Sequence, residues 1–168
     1  MEILKYGNLT LKENSKEIEI FDDQLISFAN EMYEKMVTNN GIGLAAPQVG
    51  SLIQLIVIDI EDGNGRLDLV NPRITDTSDE VVEGEEGCLS VPGIYAKVMR
   101  FAKINVEAQN LVGETFNFQA DEFLARVIQH EIDHLNGILF IDRVDEMTKK
   151  KFRSDLKKIK KKYNKILA

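Results

Sequence analysis

The chain has one cysteine, Cys88, no tryptophan, two histidines and three prolines among its 168 residues. A lone cysteine cannot close an internal disulfide, which excludes a disulfide-stapled scaffold and agrees with a reducing compartment. No apolar run approaches the ~18 residues that crossing a bilayer takes. Met1 to Gly7 lacks an apolar segment of signal-peptide length. A cytoplasmic location without membrane association is expected. Internal repeats, low-complexity segments and linkers are also missing. A chain of 168 residues suffices for one domain with its own core, so a single domain over residues 1–168 is expected.

Charge is plentiful but unevenly placed. The net charge is −7, yet Lys149 to Lys165 holds ten Lys or Arg against one acid, Asp155. That segment carries +9 and leaves −16 on the rest. A basic tail on an acidic body suits a polyanionic partner; a solvated helix face accounts for the same charges.

Three stretches have helical spacing. From about Asp23 to Thr38, Leu25, Phe28, Met32 and Met36 recur every three to four residues, and Asn39-Asn40-Gly41 supplies a stop. A second helix starts near Asp121, a potential N-cap. It carries Phe123, Leu124, Val127, Ile128 and Leu135, and Asn136-Gly137 closes it. A third covers about Glu146 to Ile166, with Phe152, Leu156, Ile159, Tyr163 and Ile166 on one stripe and lysines elsewhere. Between the first two helices, Leu52–Ile60, Arg66–Ile74, Ala96–Gln109 and Glu114–Ala120 read as strands. Asp62-Gly63-Asn64-Gly65 and Gly113 serve as turns, and Ile74 to Gly84 reads as a loop. Short turns between consecutive strands imply antiparallel pairing. The expected class is α+β, with antiparallel sheets packed around the second helix.

The sharpest signal is His130-Glu131-Ile132-Asp133-His134. Residues four apart on a helix share a face, so two imidazoles can take one metal ion while the adjacent Glu reaches a bound water. These are the only histidines in the chain, and they share a stripe with Phe123 and Val127, which is expected to face inward. A catalytic ion needs a third protein ligand and an open position. Zinc proteases with a third histidine downstream would need it where Phe140 stands. Those with a later Glu would have only Glu146, close in sequence, or Asp155 among lysines. The remaining candidate is Cys88 upstream, and a Cys-His-His set suits Fe(II), Zn or Co. An endopeptidase therefore lacks a ligand, and a structural metal module, which wants four, lacks one as well.

Three segments together resemble the signature motifs of the peptide deformylases, in that family's order and spacing: Gly41-Ile42-Gly43-Leu44-Ala45-Ala46-Pro47-Gln48, Glu86-Gly87-Cys88-Leu89-Ser90 and Gln129-His130-Glu131-Ile132-Asp133-His134. The resemblance spans nearly the whole chain, and its cysteine motif is the bacterial and organellar form. It implies an α+β fold centred on the His-Glu-x-x-His helix, and removal of the formyl group from N-formylmethionyl peptides with release of formate. Cys88, His130 and His134 would hold one divalent ion, Fe(II) in the cell with Zn, Ni or Co as substitutes. Glu131 would be general base and acid. Gln48 and the Leu89 N–H would form the oxyanion hole. Gly43 would pair with the substrate backbone, and Ile42, Glu86, Val127 and His130 would line a methionine pocket. A C-terminal helix tethers some members to ribosomal RNA, a role the basic tail could share. Glu86, Arg100 and Asp133 stay open between orienting the ligands and forming ordinary ion pairs.

Overall fold

Seven strands and three α-helices make up the regular structure among the described residues, 1–164, of the computed structural model. Asp22 starts α1 (Asp23–Thr38) by accepting from the Leu25 N–H, and Asn39 ends it. Then come β1 (Gly43–Ala45), β2 (Leu55–Ile58), β3 (Leu67–Thr77), β4 (Val81–Cys88), β5 (Val91–Phe101), β6 (Lys103–Gln109) and β7 (Thr115–Asp121). The helices α2 (Glu122–Leu135) and α3 (Glu146–Tyr163) follow. The α+β class is as expected, and every strand pair is antiparallel.

The main sheet has the order β1-β2-β3-β6-β7, and β4 and β5 form a separate hairpin inserted between β3 and β6. Each residue of β2 is buried, because helices cover both faces of the sheet. Ile56 and Ile58 pack with Ala125, Ile128 and Leu135 of α2. Leu55 and Val57 pack with Leu25, Ala29, Met32 and Met36 of α1. Full burial of such a side chain contributes about 1.5–3 kcal/mol, so this double-sided strand anchors the molecule. A third cluster joins Val91, Ile94 and Val98 of β5 to Leu139, Phe140 and Ile159. The second helix thus lies between the main sheet and the hairpin and carries both histidines there.

The strand expectations need three corrections. The Ala96–Gln109 stretch is the end of β5 and all of β6, parted at Ala102. Val98, Arg100, Ile104, Val106 and Ala108 all stay buried, so the alternation runs unbroken through the corner and hides it. The expected loop from Ile74 to Gly84 is mostly strand: β3 runs to Thr77 and β4 begins at Val81. Acidic residues and Gly84 mask β4, whose outer positions face water. The Leu52–Ile60 strand is shorter than expected, Leu55–Ile58. In β3 a register shift between Val70 and Arg73 absorbs Pro72, which has no N–H for the ladder.

Asp145 caps α3, accepting from the Thr148 N–H. Ile159 is buried and Phe152 and Leu156 pack beside it, so the apolar stripe docks on the body, while Tyr163 is more exposed. Ile166 and the expected helix beyond residue 164 lie outside the described residues.

Candidate metal centre

His130 and His134 sit one turn apart on α2, and both are buried. Cys88 ends β4 at the tip of the hairpin, where it pairs with Val91. One ligand atom each from Cys88, His130 and His134 lies within 4.8 Å of the others. The Cys88 sulfur is 3.4 Å from His134 Nε2. The residues brought together here come from the hairpin and the helix, 42 or more positions apart in sequence.

Glu86, two residues before Cys88 on β4, contacts His130 Nδ1 through Oε1 at 2.8 Å. That contact occupies Nδ1 and leaves Nε2 for the cluster. Arg100 holds Glu86 in a two-pronged grip, Nε to Oε2 and Nη2 to Oε1, both at 2.9 Å. Its Nη1 donates to Asp133 Oδ2 at 2.6 Å, and Arg143 Nη2 donates to Asp133 Oδ1 at 2.8 Å. Arg126 Nη1 donates to Glu86 Oε2 at 2.8 Å. Glu86 therefore orients a histidine directly, whereas Asp133 acts one step back, through Arg100. Removing one partner from such a buried network costs about 3–5 kcal/mol, because it strands the other charge.

Burial alone would push the Glu86 carboxyl up, but Arg100 and His130 hold it down at about 2. Burial opposes a charge on His130, yet its bonds to Cys88 and Glu86 raise it to about 10. His134 is driven well below its ordinary value by burial and by the neighbouring His130, so it is a neutral imidazole able to offer a lone pair. A thiol and a carboxylate thus draw positive charge into a buried centre. His134 Nδ1 is buried without a hydrogen-bond partner. This donor set fits a divalent cation in place of the proton: one soft sulfur, two imidazoles and a carboxylate behind one of them.

Glu131 is buried, and burial raises its carboxyl to about 7. Its Oε2 has no hydrogen-bond partner. Its Oε1 lies where a Cβ at Gly43 would stand, 2.5 Å away, so glycine is what lets β1 approach the helix this closely.

These groups open on a cavity of about 620 Å³. Ile42, Gly43, Gln48, Glu86, Leu89, Val127, His130 and Glu131 all line it. The Gln48 amide is held in one orientation: Oε1 accepts from the Ala45 N–H at 2.9 Å, and Nε2 donates to Ser90 Oγ at 3.1 Å and faces the Cys88 sulfur at 3.4 Å. Phe123, expected to face inward with the histidines, is instead half-exposed at the cavity rim. It sits in the first turn of α2, a full turn before Val127 reaches the core. Sequence reasoning passed over Lys5, Tyr95 and Arg126, which also line the cavity. Lys5 Nζ donates to the Leu89 carbonyl at 2.7 Å, and nothing in its N-terminal setting signals this. Arg126 was legible only as the residue one turn before His130. A larger open groove of about 1030 Å³ runs between residues 16–20 and α1, with no histidine or cysteine in its lining.

Residues 1–150 match the family model for polypeptide deformylase. The peptide deformylase of Helicobacter hepaticus is 43% identical, over 96% of this chain and 92% of that protein. Peptide deformylase 1 of Bacillus cereus is 46% identical over 86% of this chain and 92% of its own length. Among solved structures, Arabidopsis thaliana peptide deformylase 1B in complex with an inhibitor superposes with a TM-score of 0.92. Its identity is 42%, and the match covers 98% of this chain and 92% of that one. A peptide deformylase from Legionella pneumophila gives 0.89 at 40% identity, covering 95% of each chain.

Proposed function

This chain belongs to the peptide deformylase family, metal-dependent hydrolases that remove the N-formyl group of nascent polypeptides and release formate, and from that premise we propose which of its residues carry the reaction. Cys88, His130 and His134 hold one divalent ion. In the cell it is Fe(II), with Zn, Ni or Co able to replace it, as the mixed sulfur and imidazole set allows. When bound, that ion supplies Lewis acidity toward water and toward a carbonyl oxygen.

The remaining work falls to side chains and backbone. Glu131 takes the proton of the attacking water at its unpartnered oxygen and delivers it to the departing amine. A carboxyl raised to about 7 is suited to both halves of that transfer. The Gln48 amide and the Leu89 N–H meet the charge that develops on the formyl oxygen; one such donor is worth about 3–4 kcal/mol in the transition state. The fixed orientation of the Gln48 amide supports this, since Nε2 already points toward Cys88. Gly43 pairs with the substrate backbone. Its strand β1 is the last in the main sheet, so one edge is open for an added extended chain. Ile42, Glu86, Val127 and His130 line the pocket for the methionine side chain.

Residues 1–168 act as one deformylase domain, in the cytoplasm, where formylated chains emerge. No helix among the described residues is long and apolar enough to cross a membrane. The basic helix α3 docks by its apolar stripe and turns Lys157, Lys158, Lys161 and Lys162 to solvent, which supports a tether to ribosomal RNA.

The observation that carries this reading is the convergence of Cys88, His130 and His134 within 4.8 Å of one another, with Cys88, His130 and Glu131 lining one cavity. Anaerobically purified protein tests it by metal analysis paired with formate release. The wild type should hold one Fe per chain and release formate from formyl-Met-Ala with the Met-Ala bond intact. Cys88→Ala should lose both metal and release. Full occupancy with normal release in that variant removes the ligand assignment, and cleavage of the internal bond removes the reaction.

A further inference from the structure

Residues 4–6 form a strap across the two segments that carry Gln48 and Cys88. The Leu4 N–H donates to the Gln48 carbonyl at 2.7 Å, and the Tyr6 N–H to the Ser90 carbonyl at 2.8 Å. Between them Lys5 lines the cavity, and its Nζ donates to the Leu89 carbonyl at 2.7 Å. That carbonyl belongs to the same peptide group as the Ser90 N–H, which donates to the Cys88 sulfur at 3.4 Å. One planar, rigid unit therefore has a cation at its oxygen and a sulfur at its hydrogen. Ser90 is fully buried, so water does not compete for its N–H. The strap is itself held from the far side. Asn164 Nδ2 donates to the Tyr6 carbonyl at 2.9 Å, and Lys5 Nζ lies 5.8 Å from the centre of the Tyr163 ring.

We infer that Lys5 is a positioning residue for the Cys88 sulfur: its ammonium polarises the Leu89–Ser90 peptide and so strengthens the Ser90 N–H bond to that sulfur. The inference rests on the functional reading above, in which Cys88 is a metal ligand. A cation at a carbonyl oxygen draws electron density to that oxygen and, through peptide resonance, away from the nitrogen. The N–H at the other end becomes the better donor, as along any run of hydrogen bonds in a low-dielectric interior. Hydrogen bonding around a cysteine sulfur is a lever on the ion it holds. A sulfur that accepts a stronger bond gives less electron density to the ion, which is left the stronger Lewis acid. The Ser90 N–H and the Gln48 amide that meet this sulfur are neutral, so Lys5 brings a full charge to bear on it from outside. The same grip restrains the Leu89 backbone, whose own N–H is a proposed oxyanion donor.

Cobalt(II) reports on the sulfur directly. Its thiolate-to-cobalt charge-transfer band moves to longer wavelength as the sulfur becomes the stronger electron donor. The absorption spectra of the Co(II)-loaded wild type, Lys5→Met and Lys5→Arg are compared, together with kcat on formyl-Met-Ala at matched metal content. Lys5→Met keeps the length and loses the cation. Its band should move to longer wavelength, and its kcat should fall about tenfold, the lower end of what outer partners of a metal ligand supply. Lys5→Arg still donates to the Leu89 carbonyl and should return both quantities toward the wild type. Thermal melting checks that each variant is folded, and Lys5→Gln, a second neutral replacement, decides by the same band if Lys5→Met is not. A role confined to anchoring the strap would lower the melting temperature and leave the band in place. An unmoved band in the folded neutral variant therefore overturns the inference. A wild type with no thiolate-to-cobalt band at full cobalt content overturns Cys88 as a ligand, and with it the functional reading.

Discussion

Glu86 Oε1 meets His130 Nδ1 at 2.8 Å, and the same carboxylate is gripped by Arg100 and Arg126. The carboxylate therefore fixes the ring of one proposed ligand from behind, and its own position is fixed in turn. Replacing it by an amide keeps the shape and removes the charge. Glu86→Gln should weaken metal binding by about 10–100-fold, the range seen when such outer partners are lost. Metal release to a chromogenic chelator measures this directly. Release at the wild-type rate would show that Glu86 serves the arginines and not the histidine.

Gly43 is the second exposed point of the account. An added methyl would sit 2.5 Å from Glu131 Oε1, so it must displace the carboxylate that the mechanism depends on. Gly43→Ala should keep the fold, as judged by thermal melting, and lower kcat by at least tenfold. A variant with normal kcat would mean that Glu131 has room to move without consequence.

The basic helix gives a prediction that leaves the chemistry alone. Lys160 packs its stem where Gly7 lacks a side chain, so it is left in place. Lys157, Lys158, Lys161 and Lys162 are exposed, and changing all four to Glu should leave hydrolysis of free formyl-Met-Ala unchanged. Co-sedimentation with ribosomes at low salt should fall sharply, because each phosphate contact adds close to one unit to the salt dependence of binding. Undiminished co-sedimentation would return the lysines to the simpler role of a solvated face.

Much of this molecule is legible in its sequence. The spacing of His130 and His134 fixes their shared face, and α1 follows from its apolar spacing and its flanking Asp22 and Asn39. Placing Cys88 beside the histidines took the missing third ligand and the three motifs together. What stayed hidden has physical causes. Alternation cannot show that a strand changes sheets when its buried parity survives the corner at Ala102. An acidic edge strand such as β4 presents no apolar pattern, and its partner β5 is recognisable only from Ala96 onward. Phe123 misled because helical spacing gives the face of a residue but not how far the helix end protrudes. Lys5 and Arg126 reach the site through long side chains bonded to backbone carbonyls, and such bonds leave no trace in composition or periodicity.

The central claim is that Glu131 moves the proton in formamide hydrolysis at an ion held by Cys88, His130 and His134. The measurement that tests it most directly is formate release from formyl-Met-Ala by Glu131→Gln at a metal content matched to the wild type. The amide fills the same space but cannot take a proton. Turnover should fall by at least ~10²-fold, the lower end of what general acid–base catalysis supplies. Wild-type turnover at equal metal content would contradict the account.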